Sequence, residues 1–573
     1  MSSAQRPAPF RMPERLFAEL ATGGGSAEAI DFLARGERAR RLLLLRTLLD
    51  RLAGLATPLT PAAEAWQAVK AAAGRAPEPV DRLLLAPATG RWIAHVLRRA
   101  HGSSTTGPPL WAEAGQLCAV AAAAAVHAGT ETDLRVPLTD GRLQLPGLGM
   151  VRLPGSERGP AVGRARTRDG ELTLTGPSRD GRPVTVTCRP GTVPVAAGPG
   201  TAPAATAGRD PGTHWVPLRT LTHTGPAGTT AVLLDDLDPY RDLDDPLPPA
   251  RLDTGEAQAW QRLFDEASAL LAGARAGEPG WLDPSLIRSV VPWGRTSPLP
   301  PAPPTVSLSA SSGDAFGGMV IARPATGLAL AEALVHEFQH SKLGALLHLF
   351  PLLDDDRVER YYAPWRADPR HLSGLLHGAY AFTGVAGFWR DRMTEPAHAE
   401  AAAYHFALRR TQARLVVRTL LASGRLTAPG RHLVTGLART LDGWLREPVE
   451  PAALARARTA AALHRTEWRL RNVLPGPQES PTAVRLRPDR RGWRDLRTHA
   501  FATRPAVPRT PDEHLAAADP ATALDGYADA LSRDPADPHV LAGWIVARAT
   551  LTPAHTTRRL LARPELLQPQ LSG

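Results

Sequence analysis

Val335-His336-Glu337-Phe338-Gln339-His340 is an HExxH motif set inside a helix-compatible run. Leu328-Ala329-Leu330-Ala331-Glu332-Ala333-Leu334 precedes it and Leu343-Gly344-Ala345-Leu346-Leu347 follows it. An α-helix turns once in about 3.6 residues, so the two histidines stack on one face, close enough to share an ion. Glu337 lies about 100° round the helix and can lean over the same point. Two neutral imidazoles on one face are a divalent-metal chelate. A helix this apolar is expected to be buried, where unengaged polar groups are costly. That favours a metal site over a chance pattern on a surface helix.

At 573 residues the chain can bury a large core, and 43% hydrophobic residues exclude a disordered protein. No run of about 18 uncharged apolar residues appears, so no membrane span is expected. Met-Ser-Ser-Ala-Gln-Arg-Pro, at the start, lacks the apolar centre of a signal peptide. With Cys118 and Cys188 as the only cysteines, a disulfide framework is not expected, which suits a reducing cytosol. The formal charge of +11 comes from arginines spread along the chain, lysine occurring only at Lys70 and Lys342. Without a basic stripe, a solvated basic surface is the expectation. No nucleic acid is expected as partner; an acidic one, such as a leader peptide, is the alternative.

Four regions follow from the patterning, and the fold class is α+β, mostly helical. Residues 1–132 read as an N-terminal helical region, with Leu33, Leu42, Leu43, Leu44, Leu45, Leu48 and Leu49 as the apolar side of one helix and a break at Pro77 to Pro79. Residues 133–250 read as a central antiparallel β region. Asp140-Gly141, Asp169-Gly170 and Asp180-Gly181 mark its hairpin turns, and 189–213 is a Pro/Ala/Gly/Thr-rich, mobile insertion. Asp235, Asp236 and Asp238 lack the Gly and closing Glu of an EF-hand and read as a strand end with a turn. Residues 251–475 read as a zincin-like helical HExxH core. An amphipathic helix runs from Glu256 to Arg275, and a hairpin of Val306–Ser309 with Met319–Ala322 precedes the motif helix. In zincin-like enzymes such an edge strand can hold an extended peptide by main-chain pairing. Residues 476–573 read as a linker and a helical tail, with a repeat-like pair over Ala518–Arg533 and Val540–Thr550.

Two histidines hold a metal weakly, so a third ligand is expected. A metzincin continuation needs Gly at 343 and His at 346; the chain has Leu343 and Leu346. A gluzincin ligand would be Glu359, but it lies in a charged, loop-like run, Asp354 to Arg360. The next apolar helix, Arg370 to Arg390, carries His377, which is the preferred third ligand; Glu400, His405 and Glu337 remain alternatives. Between the two helices, Arg366 and Arg370 can each take a carboxylate in bidentate fashion, from a ligand or from Asp354 to Asp356 or Asp368.

His336–Leu347, Tyr361-Tyr362-Ala363-Pro364-Trp365-Arg366, Asp368-Pro369-Arg370 and Leu372–Phe382 together resemble the HExxH-motif domain found beside ribosomal-peptide modification genes. That family is described as α-ketoglutarate-dependent HExxH-type peptide β-hydroxylases. Leu234–Tyr240 and the N-terminal helices also fit. The resemblance covers most of residues 10–540 and is strongest between 306 and 410. It implies Fe(II), with zinc as the alternative, and 2-oxoglutarate and oxygen as cosubstrates. It implies His336, His340 and His377 as metal ligands, Glu337 as a catalytic or metal-tuning group, and Arg366, then Arg370, as anchors for the distal carboxylate of 2-oxoglutarate. The implied partner is a precursor peptide with leader and core, alongside other maturation enzymes. The residues alone also admit a zinc metallopeptidase-like hydrolase and a non-catalytic peptide-binding scaffold.

Overall fold

The structure, a computed structural model, describes residues 11–102, 107–191, 214–226, 228–243, 245–293, 309–476, 483–488 and 497–567. It is α+β and mostly helical, with an antiparallel sheet in the centre of the chain between helical N- and C-terminal regions.

The chain opens with α1 (Glu14–Ala21), α2 (Ala27–Leu52), α3 (Ala62–Arg75), α4 (Pro77–Leu84), α5 (Pro87–Ala100), α6 (Leu110–Ala114) and α7 (Gln116–Ala128). The helical pattern breaks before Pro77, as expected: α3 stops at Arg75 and Pro77 starts a new helix, as Pro87 does another. Pro77 and Pro87 take first-turn positions, where the missing N–H costs nothing. α7 is buried on all sides except at His127, as its run of alanines requires, and ends at Gly129 with φ +62°.

A seven-stranded antiparallel sheet follows. It comprises β1 (Thr132–Thr139), β2 (Arg142–Leu145), β3 (Gly149–Arg152), β4 (Pro160–Arg168), β5 (Glu171–Pro177), β6 (Pro183–Cys188) and β7 (Trp215–Pro217), ordered β6-β5-β4-β1-β2-β3-β7. Asp140-Gly141 and Asp169-Gly170 both have positive φ, the two-residue turn that matches strand twist. β4 went unread in the sequence because it buries Gly163, Ala165 and Thr167, small residues that face α7. The insertion expected to be mobile lies, from residue 192 on, outside the described residues.

A second, mixed sheet holds β8 (Arg219–Gly225) and β9 (Gly228–Leu234). After α8 (Thr254–Leu271) come β10 (Ser289–Trp293), β11 (Ser309–Ala310) and β12 (Gly318–Ala322), giving the order β11-β12-β10-β9-β8. β10 runs parallel to both β9 and β12. It lies inside a proline-rich stretch and includes Pro292. Its pairing with β9 ends at Val290, so Pro292 has only β12 beside it, where a missing N–H is tolerated. Of the expected hairpin, Ser309 pairs with Ile321; residues 306–308 lie outside the described residues. β9 runs into the Asp235–Tyr240 turn, whose carboxylates face inward. Asp235 accepts the N–H groups of Leu237 and Asp238, Asp238 accepts that of Tyr240, and Asp236 pairs with Arg219 and Arg251.

The remainder is helical: α9 (Gly327–Leu349), α10 (Leu372–Asp391), α11 (Ala399–Ala422), α12 (Ala428–Leu445), α13 (Pro451–Asn472), α14 (Arg497–Ala500), α15 (Pro511–Ala516), α16 (Pro520–Arg533), α17 (Pro538–Leu551) and α18 (His555–Ala562).

Two compact units form. One comprises Asp31–Gly273 and Leu282–His348; the other Met1–Ile30, Ala274–Trp281 and Leu349–Gly573. The first has a core of leucines and valines from α2 to α7 and β1 to β6, centred on the alanines of α7. In the second, α11, α13, α16 and α17 contribute Tyr404, Leu463, Tyr527 and Val546 to one core. Among the described residues, no helix is long and apolar enough to cross a membrane.

Candidate metal centre

α9 begins where the Thr326 hydroxyl accepts the N–H of Ala329 and Glu266 of α8 accepts the N–H of Gly327. The hydroxyl caps a free N–H, and the carboxylate adds negative charge at the helix start, where the dipole favours it. A Cβ on Gly327 would meet that of Glu266 at 2.3 Å, so the glycine lets α8 and α9 approach closely. Downstream, the Ser341 hydroxyl accepts the N–H of Gly317 at 3.3 Å, and Phe338 meets Phe316 with ring centres 6.3 Å apart. The motif helix is thus fixed by its own apolar sides against α8 and the β11–β12 loop.

On its remaining face, His336 and His340 point their Nε2 atoms at one another, 3.1 Å apart, with rings at 79°. Two imidazole nitrogens that far apart, each about 2.0–2.1 Å from a common ion, subtend about 98°. That lies between the octahedral and tetrahedral angles, so the pair accepts either geometry. Glu337 is 1% exposed, with Oε1 4.0 Å from His336 Nε2. Its Oε2 makes no hydrogen bond among the described residues. A buried carboxylate oxygen without a partner is costly, and a cation held by the two histidines would relieve it. The donor set therefore fits a divalent metal. Among the described residues, no group of three or more His, Cys, Asp or Glu side chains is arranged as a complete metal cage.

Two features of α9 escaped the sequence reading. Lys342 is 2% exposed, and burial pushes its ammonium down to about 7. One of two lysines in an arginine-rich chain, in an apolar helix, was the available signal: lysine can discharge in the interior and arginine cannot. His348 donates or accepts at 2.6 Å with buried Glu37 of α2, a pairing 311 residues apart in sequence.

In the other unit, Arg366 and Arg370 share one carboxylate. Asp368 lies 2.9 Å from Arg366 Nε and 3.4 Å from Arg370 Nη1. Arg366 is the more exposed of the two, and Arg370 is pinned by reciprocal main-chain bonds with Tyr361 at 2.9 and 3.0 Å. Trp365 stacks on Phe382 at 4.6 Å and lies over Gly378, whose Cβ would come within 2.1 Å of the indole. The same helix, α10, carries His377, half-buried. Desolvation, then His371 and Arg370, push its imidazole down to about 4, so it stands neutral. Asp355 bonds His371 at 2.6 Å and caps α10 through Ser373 N–H.

The other candidate ligands, Glu400, His405 and Glu359, also lie in this unit. Glu400 takes Arg456 and the N–H of Arg504. His405 stacks on Trp389 at 4.5 Å, its imidazole pushed far below its ordinary value by burial. Glu359 is exposed. The structure thus brings His336, Glu337 and His340 together in one unit, and Arg366, Arg370 and their shared Asp368 in the other. Compared with models of known protein families and with curated protein sequences, the chain matches none.

Proposed function

We propose that the chain is an Fe(II)- and 2-oxoglutarate-dependent oxygenase that hydroxylates the β-carbon of residues in a ribosomally made precursor peptide. The observation that carries a metal enzyme is the 3.1 Å separation of the His336 and His340 Nε2 atoms beside the unpartnered oxygen of Glu337. The choice of iron and of peptide rests on the resemblance of residues 306–410. Bound iron would couple decarboxylation of 2-oxoglutarate to oxygen transfer, so that 2-oxoglutarate, oxygen and a C–H bond give succinate, carbon dioxide and a hydroxyl group. His336 and His340 would bind through Nε2; the resemblance, not the geometry, is the ground for His377 as third ligand. Glu337 would occupy a further position or hold a proton beside it. Arg366 and Arg370 would receive the distal carboxylate, displacing Asp368. The free thiols of Cys118 and Cys188 accord with a cytosolic setting.

A zinc hydrolase is the second reading, favoured by the Glu337 carboxylate 4.0 Å from His336 Nε2, a placement suited to activating a metal-bound water. One experiment separates the two. The full chain is loaded anaerobically with Fe(II) or with Zn(II) and given 2-oxoglutarate and oxygen, without any peptide. Succinate released only with iron supports the oxygenase, because such enzymes turn over slowly without their prime substrate. No succinate with iron, together with cleavage of an added unfolded protein such as casein by the zinc-loaded chain in a parallel reaction, would replace it with the hydrolase.

A further inference from the structure

Five side chains from five helices meet at the C-terminal end of α13. Glu467 lies on α13, Arg497 on α14, Asp512 on α15, Tyr527 on α16 and His539 on α17. His539 Nδ1 is 3.2 Å from Glu467 Oε2, and its Nε2 is 3.3 Å from Asp512 Oδ2. A carboxylate only accepts, so both ring nitrogens must donate, and a neutral imidazole has a single N–H. A carboxylate beside each ring nitrogen favours the imidazolium form.

We propose that α15 to α17 dock on α13 through a proton-gated latch, in which charged His539 clamps Glu467 to Asp512 and loss of its proton loosens the C-terminal helices. Arg497 reinforces the clamp, with Nε 2.9 Å from Asp512, Nη1 3.3 Å from Glu467 and Nη2 donating to the His539 carbonyl at 2.7 Å. Arg471 holds the other oxygen of Glu467 at 2.8 Å, and Tyr527 donates to Asp512. With His539 neutral, one ring nitrogen turns a lone pair on a carboxylate, and two carboxylates face Arg497 and Arg471 without the third cation.

Burial opposes the charge on His539, but the hydrogen bonds to Asp512 and Glu467 outweigh it and lift the imidazole to about 9. A raised base binds its extra proton in the docked state. Its stabilisation is complete below the ordinary value of 6.5 and is lost as pH climbs through about 9. Proton access is open, because the His539 side chain is 42% exposed while Glu467 and Arg497 are buried. The buried Arg469–Glu565 pair, 2.7 Å apart, ties Glu565 to α13 independently of His539, so the tail loosens without detaching. Loosening would uncover Leu541 and Ile545, now packed on Leu470.

Hydrogen exchange of the full chain, corrected for intrinsic rates, tests the latch. Residues 511–551 should lose at least about tenfold of their protection between pH 7.5 and 9.5, a factor of one pKa unit, while α10 does not change. His539→Gln should show the loosened state already at pH 7.5, with no further pH response. Asp512→Asn should move the midpoint down. Equal protection of the parent at both pH values overturns the latch, as does parent-like protection in His539→Gln. Should His539→Gln fail to fold, the NMR titration of His539 in the parent decides: a midpoint at or below the ordinary histidine value overturns it.

Discussion

The Nε2 atoms of His336 and His340 stand 3.1 Å apart, a separation that suits either one hydrogen bond between neutral rings or two bonds to a shared cation. The alternatives differ in what removing one ring does. A hydrogen bond between half-exposed rings is worth about 1 kcal/mol, whereas a lost ligand exceeds the 10–100-fold affinity cost typical of supporting residues. His340→Ala should therefore lose more than about 100-fold in metal affinity while folding normally. Metal content after gel filtration measures it, and full occupancy in the variant would remove the site.

Glu337 should respond to metal with a change of sign. Without metal, its buried carboxylate with an unpartnered oxygen is a liability, and Glu337→Met replaces it with an apolar chain of similar length. The metal-free variant should be more stable than the parent by about 1–3 kcal/mol. With metal, the parent should gain thermal stability that the variant does not. Melting temperatures of both proteins, with and without metal, give four values. A variant less stable in both states would mean that Glu337 serves the packing of α9 alone.

Arg370 should matter more to 2-oxoglutarate than Arg366. The Arg366–Asp368 bond is short and exposed, while Arg370 contacts Asp368 at 3.4 Å, long for a charge-assisted bond. Arg370→Ala should raise the 2-oxoglutarate requirement about tenfold or more, the scale of a lost hydrogen bond to a charged group, and Arg366→Ala less. Gly378→Ala should resemble Arg370→Ala with metal retention intact, because a methyl there collides with Trp365 and displaces the loop that carries both arginines. Succinate formation against 2-oxoglutarate concentration ranks the variants. A larger effect of Arg366→Ala would return the anchor to Arg366, and parity would divide it between the two.

What could be read in advance was what repeats locally. The histidine pair sits one helical turn apart, so both its chemistry and its helix follow from spacing. β1, β2 and β5 alternate bulky apolar residues and were legible. β4 was not, because its buried positions are Gly163, crowded by Leu138, with Ala165 and Thr167, which carry no hydrophobic signal. β10 was hidden by Pro292, which is tolerated only because β9 stops short of it, a fact of register and not of sequence. The long-range pairs were illegible for a simpler reason. Glu37 with His348, and Glu467 with His539, are ordinary polar residues until the fold removes water from around them.

Gln261 should guard the edge of the mixed sheet. From α8, its amide donates to the Thr222 carbonyl at 2.6 Å and accepts the Thr222 N–H at 3.0 Å, occupying main-chain groups that edge strand β8 would otherwise present to solvent or to another chain. Gln261→Ala should cost about 1–2 kcal/mol in urea unfolding and raise concentration-dependent light scattering. A stability loss without association would confine the amide to local hydrogen bonding.

Asp238 should make the protein less stable as pH rises through neutrality. Burial, then the charge of Asp235, hold its carboxyl up at about 7, against an ordinary value of 3.8. The folded state therefore carries an extra proton between those values, and stability falls across that interval as the group is forced to ionise in the interior. Other carboxylates act oppositely. Glu467 and Asp512, drawn down chiefly by His539 and Arg497 against their burial, stabilise above their ordinary values and fail only in acid. Total stability against pH thus mixes both slopes, and the comparison with Asp238→Asn separates them. The amide keeps an oxygen for the Tyr240 N–H but cannot ionise. At pH 4, close to the ordinary value, the two proteins should be nearly equal. At pH 8 the variant should be more stable, by on the order of 1 kcal/mol, since it avoids a buried anion. A difference that does not change between pH 4 and 8 would place the cost of the turn in its hydrogen bonding and not in its charge.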